Sequence, residues 1–267
     1  MNRIATRLQR LRADQRKALI PFITSGDPAL EATVPVLHAL VAAGADLIEL
    51  GIPFSDPMAD GPVIQRSSQR ALERGAGLGH ALASVRGFRT QDDQTPIVLM
   101  GYLNPVEIHG LERFAQEAAE AGVDGVLLVD LPPEEAEDTR SALNRQGIDL
   151  ISLAAPTTRD DRLQRMAESA QGYLYYVSFA GVTGGDKLSV EGLRERVAAL
   201  RAASAVPVAV GFGVKDAASA KALSQFADGV VVGSALVEAL ADAASPEAAA
   251  AAAGAFLAPL RAALDHD

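Results

Sequence analysis

The amino-acid sequence predicts an α/β fold, namely a (β/α)8 TIM barrel with an extra N-terminal helix. Short apolar runs alternate with longer segments of helical periodicity, and this alternation implies a parallel sheet with crossover helices. Eight such units fit within the 267 residues, as in barrels of this class. No linker or low-complexity segment divides the chain, so we expect a single domain over residues 1–267. On the repeating pattern alone, a doubly wound open sheet remains the alternative.

Each strand candidate is a short run rich in β-branched or other apolar residues. The eight candidates are residues 18–24, 46–52, 96–102, 125–130, 150–155, 173–179, 206–212 and 229–235.

The segments between the strands have helical spacing. In residues 29–44, the positions of Leu30, Val34 and Leu37 place apolar side chains on one face, and Gly44 ends the helix. Further helices are predicted over residues 63–75, 111–122, 132–147 and 190–204. The Ala-rich tail over residues 243–264 keeps an apolar face and is predicted to be the closing helix.

The composition excludes several classes of function. A net charge of −10 leaves no basic footprint for nucleic acid, and the absence of cysteine excludes disulfides and thiolate chemistry. The four histidines lack metal-ligand spacing, so we expect no metal site. The basic N-terminus has no apolar signal core, and no run reaches the roughly 18 apolar residues of a membrane span. We therefore expect a soluble, cytoplasmic protein.

One carboxylate lies inside a predicted strand. Glu49 stands between Ile48 and Leu50, and Glu is rarely buried without a partner or a task. Side chains of a barrel strand alternate between the interior and the helix layer. The face with Ile48, Leu50 and Ile52 is fully apolar and suits the helices, so Glu49 is predicted to point into the barrel. It lies near the carboxyl end of its strand, where such barrels build active sites. A buried Glu with a structural partner and no chemistry remains the alternative.

The loop after this strand adds two more acids. Asp56 and Asp60 lie in the segment FSDPMADGP, and each also suits a turn or a helix cap. Three acids around one strand end favour a site in which one carboxylate has a raised pKa and donates a proton while another stays ionised. Glu49 is the better candidate for the raised pKa because it leaves an apolar strand.

Glycine-rich loops follow the last three strand candidates. They cover residues 178–189, 211–219 and 232–240. Such barrels often bind phosphate with the loops after strands seven and eight, where bare amides and a helix N-terminus meet the anion. Gly211, Gly213, Gly233 and Ser234 are therefore candidate phosphate ligands, although each glycine alone is more typical of a turn. The loop at 178–189 is long enough to be a lid over substrate, or it is an ordinary surface loop.

Several segments share their sequence with one family. They are PFITSGDP (21–28), ADLIELGIPFSDPMADGPVIQ (45–65), MGYLNP (100–105), GVDGVLLVDLPPEE (122–135), APTT (155–158), AGVTG (180–184), VGFGV (210–214) and ADGVVVGSA (227–235). With these motifs the chain resembles the tryptophan synthase alpha subunit over essentially its whole length. The resemblance implies a carbon–carbon lyase that cleaves indole-3-glycerol phosphate to indole and glyceraldehyde 3-phosphate by a retro-aldol reaction, with no cofactor in this chain.

The resemblance also implies roles for individual residues. Glu49 would protonate C3 of the indole ring, and a carboxylate would take the proton of the hydroxyl that becomes the aldehyde. Asp60 would accept a hydrogen bond from the indole N–H and stabilise the positive charge growing there. The implied substrate-binding residues are Phe22, Met100, Tyr102, Leu127, Tyr175, Thr183 and Phe212. The implied phosphate-binding residues are Gly184, Gly211, Gly213, Gly233 and Ser234. Any one of the apolar positions would also suit plain barrel core.

A partner protein is implied by the same resemblance. The family forms an α2β2 heterotetramer in which the beta subunit receives indole through a tunnel and joins it to serine with pyridoxal phosphate. The residues implied at that interface are Pro53, Asp56, Pro57, Asn104 and Pro105. A turn after the third strand is the alternative for Asn104-Pro105.

One departure from the family pattern lies in the glycine-rich loop. Many members carry Arg where this chain has Phe179, and Lys187 is a candidate substitute for anchoring the loop. Two other functions stay open at the level of sequence. One is a stand-alone lyase that releases free indole, and the other is a catalytically silent barrel that acts as a regulatory module. The intact acids and glycines argue against the silent barrel.

Overall fold

A computed structural model describes residues 2–177, 190–211 and 213–265 of the chain. Within these residues, nine parallel strands form one sheet, in the order β5-β4-β3-β2-β1-β9-β8-β7-β6. The strands are β1 Ala18–Thr24, β2 Ile48–Gly51, β3 Ile97–Gly101, β4 Gly125–Leu128, β5 Asp149–Leu150, β6 Ser152–Ala154, β7 Leu174–Val177, β8 Val208–Gly211 and β9 Gly229–Val232.

The fifth predicted strand is present in two pieces. β5 pairs with β4, and β6 pairs with β7. Ile151 separates the two pieces, and its N–H still donates to the carbonyl of Val126 in β4 at 2.8 Å. The ends of the sheet order therefore meet in one segment of chain, and the sheet has eight strand positions around a nearly closed ring. This confirms the (β/α)8 barrel and excludes the doubly wound open sheet.

Helices cover the outside of the sheet. They are α1 Arg3–Ala13, α2 Thr33–Ala42, α3 Pro62–Glu73, α4 Leu78–Arg89, α5 Leu103–His109, α6 Leu111–Ala121, α7 Glu137–Arg145, α8 Asp160–Ser169, α9 Val190–Ala203, α10 Ala217–Ser224, α11 Ser234–Leu240 and α12 Pro246–Asp265. The helix predicted from residue 132 begins with a short 3-10 turn, Pro133–Glu135, and the α-helix proper starts at Glu137. The helix predicted to end at Gly44 ends at Ala42, and Gly44 two residues later has the left-handed φ of 99° that terminates the helix.

The strands separate two apolar layers. Ile48 and Leu50 belong to the large core between the sheet and the helices, whereas Leu47 belongs to a second cluster inside the barrel. The predicted alternation along β2 is confirmed by this division. Glu49 lies on the interior face and is 0% exposed.

The extra N-terminal helix closes the amino end of the barrel. Ile4, Leu8 and Leu11 of α1 are part of the interior cluster. Arg7 is paired with Asp46 at 2.6 Å, so α1 is fixed by charge as well as by apolar packing. The prediction of an additional N-terminal helix is confirmed.

The C-terminal helix α12 completes the outer layer. By length and composition alone it is apolar enough to cross a membrane, which the sequence reading did not anticipate. Its Leu257, Leu260 and Leu264 are buried in the core between helices and sheet. Arg261 on the same helix donates to Asp46 at 2.9 Å. These contacts are those of a core helix, as predicted for the closing helix.

Candidate active site

A cavity of about 330 Å³ opens at the carboxyl ends of the strands. The sequence analysis named nine of its lining residues: Phe22, Glu49, Asp60, Met100, Tyr175, Gly211, Gly213, Gly233 and Ser234. These residues lie on β1, β2, β3, β7 and β8, and in the loops after β2, β8 and β9. The cavity therefore brings two of the predicted acids, Glu49 and Asp60, and four of the five predicted phosphate-binding residues into one space.

Glu49 reaches this cavity from the barrel interior. The hydroxyl of Tyr173 donates to its Oε1 at 2.5 Å, while its Oε2 is buried without a hydrogen-bond partner among the described residues. Burial raises the pKa of Glu49 to about 7, and the hydrogen bond from Tyr173 acts in the opposite direction. A carboxyl group with this pKa holds a proton in a large fraction of molecules near neutral pH, as a general acid must.

Asp60 faces the cavity from the loop after β2. The Tyr102 hydroxyl donates to its Oδ2 at 3.0 Å and accepts from the N–H of Ala59, also at 3.0 Å. Burial raises the pKa of Asp60, and the hydrogen bond from Tyr102 lowers it. The sequence analysis expected one carboxylate with a raised pKa and another that stays ionised; burial raises the pKa of both acids. The N-cap of α3 is Gly61, so Asp60 does not cap that helix.

Helix α3 holds the Asp60 loop in place from behind. Asp27, in the loop after β1, accepts from Ser67 at 2.7 Å and from Arg70 at 2.6 Å. The side chain of Gln65 on the same helix donates to the carbonyl of Asp60 at 2.9 Å. The position of Asp60 therefore depends on contacts between two successive loops of the barrel.

Two glycines make room for the aromatic walls of the cavity. A Cβ at Gly51 of β2 would lie 2.6 Å from the ring of Phe22, and one at Gly211 of β8 would lie 2.3 Å from the hydroxyl of Tyr175. Side-chain atoms do not approach so closely, so Gly211 has a packing role beside Tyr175. Gly213 lines the cavity with φ of 50°, and no described atom lies within 4 Å of a Cβ built on it.

Some predicted residues lie elsewhere. Leu127 does not line the cavity but is fully buried in the interior cluster beneath it. Tyr102 is also absent from the lining and contacts Asp60 instead. Thr183, Gly184, Phe212, Phe179 and Lys187, with the predicted lid at 178–189, lie outside the described residues.

Sequence reasoning missed several residues of the site. Tyr173 is the partner of Glu49. Eight further residues line the cavity: Ala59, Gly61, Ile64, Val129, Leu153, Val177, Val214 and Val231. A usable signal existed, because Tyr173 and Val177 lie two positions either side of Tyr175 on the same face of one strand. Val129 follows Leu127 by the same rule.

The residues predicted at a partner interface differ in exposure. Asp56 and Asn104 are exposed, Pro57 and Pro105 are half-buried, and Pro53 is buried. Asn104 and Pro105 belong to the short helix α5, so the alternative of a turn after the third strand is wrong.

Two large apolar side chains lie exposed on the same segments. Met58 in the loop after β2 is 84% exposed, and Ile108 on α5 is 80% exposed. Both segments also carry residues that the sequence analysis predicted at a partner interface.

Comparison with known proteins identifies the family. The family model described as tryptophan synthase alpha chain matches residues 8–264. The chain belongs to the tryptophan synthase alpha chain family. It is 64% identical over 267 residues to the tryptophan synthase alpha chain of Xanthomonas oryzae pv. oryzae (strain MAFF 311018), with 100% of both chains covered. It is 63% identical over 265 residues to that of Xylella fastidiosa (strain M12), with 99% of both covered.

Solved structures of the family have the same fold. Tryptophan synthase subunit alpha from Legionella pneumophila str. Paris superposes with a TM-score of 0.92 at 46% identity, covering 99% of each chain. A chain of tryptophan synthase from M. tuberculosis superposes with a TM-score of 0.89 at 34% identity, covering 100% of each. The barrel described here is therefore the fold of the tryptophan synthase alpha chains.

Proposed function

We infer that this protein is the alpha subunit of tryptophan synthase and cleaves indole-3-glycerol phosphate to indole and glyceraldehyde 3-phosphate. One observation carries the assignment of chemistry to residues: Glu49 and Asp60 face a single cavity of about 330 Å³ at the carboxyl end of the barrel. Active sites of such barrels lie at this end. Membership of the family supports the reaction itself.

Glu49 is the general acid of the proposal. Indole is a poor carbon leaving group until C3 is protonated, so the reaction needs a proton donor that is not ionised at neutral pH. The pKa of Glu49 is raised to about 7 by burial, which meets this need. After the transfer, the carboxylate is available to take the proton from the hydroxyl that becomes the aldehyde.

Asp60 stabilises the ring during cleavage. Protonation at C3 places positive charge on the indole nitrogen, and a carboxylate that accepts the N–H hydrogen bond lowers the energy of that charged state. Tyr102 holds Asp60 by donating to its Oδ2. In this proposal Tyr102 positions Asp60, and it does not contact the ring.

The remaining lining suits the two ends of the substrate. Phe22, Met100 and Tyr175 give an apolar wall for the indole ring. Gly213, Gly233 and Ser234 offer backbone amides and a hydroxyl for the phosphate at another part of the cavity. Thr183, Gly184 and Phe212 remain proposed contacts, from their positions in the family motifs. Gly211 is proposed to lie near the phosphate, and its lack of a side chain also leaves room for Tyr175.

The alpha chain works with the beta subunit, which carries the pyridoxal phosphate; the cleavage itself uses no cofactor in this chain. We propose Pro53, Asp56, Pro57, Asn104 and Pro105 for that interface, with buried Pro53 acting by shaping the loop. For the cellular location, we propose the cytoplasm.

The two alternative functions are less well supported. A silent regulatory barrel gives no reason for a buried glutamic acid that has a raised pKa and faces a cavity. A stand-alone lyase would use the same cavity, but the relatives across the full length are alpha chains of a synthase.

The deciding experiment measures indole release from indole-3-glycerol phosphate by the purified chain, with and without a beta subunit. We expect weak activity alone and a large increase with the partner. Glu49→Gln should lose turnover by about a thousandfold or more while still binding substrate. Glu120→Gln, an exposed glutamate on α6, is the matched control and should keep full activity. Full turnover by Glu49→Gln would refute the assignment of the acid, and no indole under any condition would refute the proposed function.

A further inference from the structure

A second, larger cavity lies at the opposite end of the barrel. Its volume is about 530 Å³. It is bounded by the C-terminal part of α1, the segment entering β1, the end of α9 and the segment entering β8. These elements meet at the amino ends of the strands, so this cavity, here called the basal cavity, is separate from the candidate active site.

The rim of the basal cavity is cationic although the protein carries a net charge of −10. Four basic side chains line it: Arg12, Arg16, Lys17 and Arg201. Two of them are neutralised, because Arg16 is paired with Asp265 at 3.0 Å and Arg201 with Asp228 at 2.8 Å.

Arg12 and Lys17 form no ion pair with a described residue, although nearby Asp228 favours the charged form of Lys17. Arg12 is exposed and forms no ion pair within the described part of the chain. Lys17 is half-buried, and its ammonium group donates to the carbonyl of Ala227 at 2.9 Å. An ammonium has three N–H donors, and no other hydrogen bond from Lys17 is formed to a described residue. These N–H donors are therefore able to reach an anion at the rim.

The floor of the basal cavity is apolar. Leu8 and Leu11 of α1 are almost fully buried there, and Val206 and Pro207 line the side nearest β8. A floor of hydrocarbon under a cationic rim suits a ligand with an apolar body and one anionic group. A fully hydrated ion such as inorganic phosphate would leave the floor unused.

Gln15 also lines the basal cavity, and with φ of 56° it is the left-handed residue that ends α1. Its N–H donates to the carbonyl of Arg12 at 3.2 Å, and the N–H of Arg16 donates to the carbonyl of Leu11 at 2.8 Å. The end of the helix therefore accounts for this backbone conformation. The Gln15 side chain makes no hydrogen bond to a described residue, so its amide is available to a ligand in the cavity.

We propose that the basal cavity binds a small amphiphilic anion, an aromatic ring or short hydrocarbon chain that carries one carboxylate, sulfonate or phosphate group. The anion lies at Lys17 and Arg12, and the apolar body lies over Leu8 and Leu11. The competing explanation is structural: α1 and α9 both end here, and cations favour the negative ends of helices. In that case the basic side chains would stabilise the fold and bind nothing.

Isothermal titration calorimetry with 2-naphthoate as the probe distinguishes the two explanations. The full chain is first saturated with glycerol 3-phosphate, which occupies the phosphate end of the candidate active site. We expect one bound naphthoate per chain. Lys17→Gln should weaken binding about tenfold and Arg12→Gln severalfold, since each removes a charge-assisted contact. The neutral analogue 2-naphthamide should bind at least about tenfold more weakly than the acid.

Arg10→Gln is the matched control. Arg10 lies on the same helix as Arg12 but does not line the cavity, so its loss should leave the affinity unchanged. Gln15→Gly should raise the melting temperature and weaken binding; unchanged affinity would contradict the role of its side chain. Wild-type affinity in both Lys17→Gln and Arg12→Gln, equal binding of the amide, or no binding at millimolar naphthoate would overturn the proposal. If Lys17→Gln does not fold, the affinity of the Arg12→Gln variant decides the outcome, because Arg12 is exposed. None of these results bears on the lyase reaction.

Discussion

The two oxygens of the Glu49 carboxyl group have different surroundings. Oε1 accepts the Tyr173 hydrogen bond, and Oε2 has no partner among the described residues. An unpartnered oxygen in a buried site costs much more when the group is ionised than when it is protonated. Glu49, the proposed general acid, should therefore destabilise the folded protein above a certain pH.

Replacing Glu49 with Gln should stabilise the protein at alkaline pH. Folding raises the pKa from 4.5 to about 7, so between these values the folded state holds more protons than the unfolded state. The free energy of unfolding of the wild type then falls as pH rises from 4.5 to 7 and stays lower above 7. Gln lacks this loss, and we expect the variant to be more stable by up to about 3 kcal/mol at pH 8.

Urea unfolding at pH 5 and pH 8 measures this difference. The gain should be small at pH 5, where the wild-type carboxyl is mostly protonated. Glu120→Gln, which changes an exposed glutamate, should show no such dependence on pH. Equal stability of the wild type and Glu49→Gln at pH 8 would mean that the folded carboxyl titrates at an ordinary pKa.

Replacing Tyr102 with Phe should impair Asp60 without removing it. The Tyr102 hydroxyl lowers the pKa of Asp60, so its loss should raise that pKa and move the acidic limb of the rate profile to higher pH. We expect kcat to fall about tenfold, since a hydrogen bond to a charged group is lost. The ring contact with Phe54, at 5.2 Å between centroids, is kept by Phe. Steady-state kinetics over a pH series provide the measurement; an unshifted acidic limb would assign Tyr102 to packing alone.

At the scale of elements, the ends of the strands combine small and large residues. Gly51 of β2 lies beside Phe22 of β1, and Gly211 of β8 lies beside Tyr175 of β7. In each pair the missing side chain on one strand admits an aromatic ring from its neighbour. The walls of the cavity thus depend on glycines that are themselves in regular strand.

Gly211→Ala tests this arrangement. The added methyl would lie 2.3 Å from the Tyr175 hydroxyl, and the ring must move to relieve the contact. We expect a loss of about 1–3 kcal/mol in stability together with reduced indole release. Gly254→Ala in α12 is the control, because its Cβ would meet nothing within 4 Å and Ala favours helix. Full activity in Gly211→Ala would show that Tyr175 can lie elsewhere without loss.

The loop after β2 and helix α5 should contribute to binding the beta subunit. Ile108→Asp places a charge at a side chain that is 80% exposed, so it should leave activity of the isolated chain unchanged and reduce its activation by the partner at least about tenfold. Ala255→Asp, an exposed position on α12, should leave both unchanged. Normal activation of Ile108→Asp at limiting partner concentration would place the interface elsewhere.

The sequence predicted the secondary-structure elements and the two faces of each strand well. It predicted less well how deep a side chain lies in the barrel and which side chains contact one another. Alternation along β2 correctly placed Glu49 inside the barrel because period-two patterning is a local property. The same reasoning did not fix depth, so Leu127 was expected in the cavity although it packs beneath it. The hydrogen bond of Tyr102 to Asp60 joins residues 42 positions apart. Such a contact depends on how two loops pack, and no local pattern encodes it.

At the scale of the whole molecule, the N-terminal and C-terminal helices both contact the same barrel. Helix α1 closes the amino end of the barrel, and Arg16, just before β1, is paired with Asp265 at the end of α12. Arg261 of α12 donates to Asp46, which also binds Arg7 of α1. With its two ends tied to the same region of the barrel, we propose that the chain folds as one domain.

A single cooperative unfolding transition is the expected result. The protein has no tryptophan and four tyrosines, three of which are in β7 or directly before it, so near-ultraviolet circular dichroism reports mainly on the second half of the barrel. Far-ultraviolet circular dichroism reports on the helices throughout. The two urea curves should coincide for one domain; separate midpoints would show two or more folding units.

The break in the fifth strand divides the chemistry as well as the sheet. Glu49 and Asp60 precede Ile151, whereas Tyr173, Gly213 and Ser234 follow it. In the proposed mechanism, the first half of the barrel supplies the two acids and the second half supplies the ligands of the phosphate. If the chain were divided into two polypeptides in the loop after β6, neither would cleave the substrate alone. Formation of indole would then show that the two polypeptides had associated.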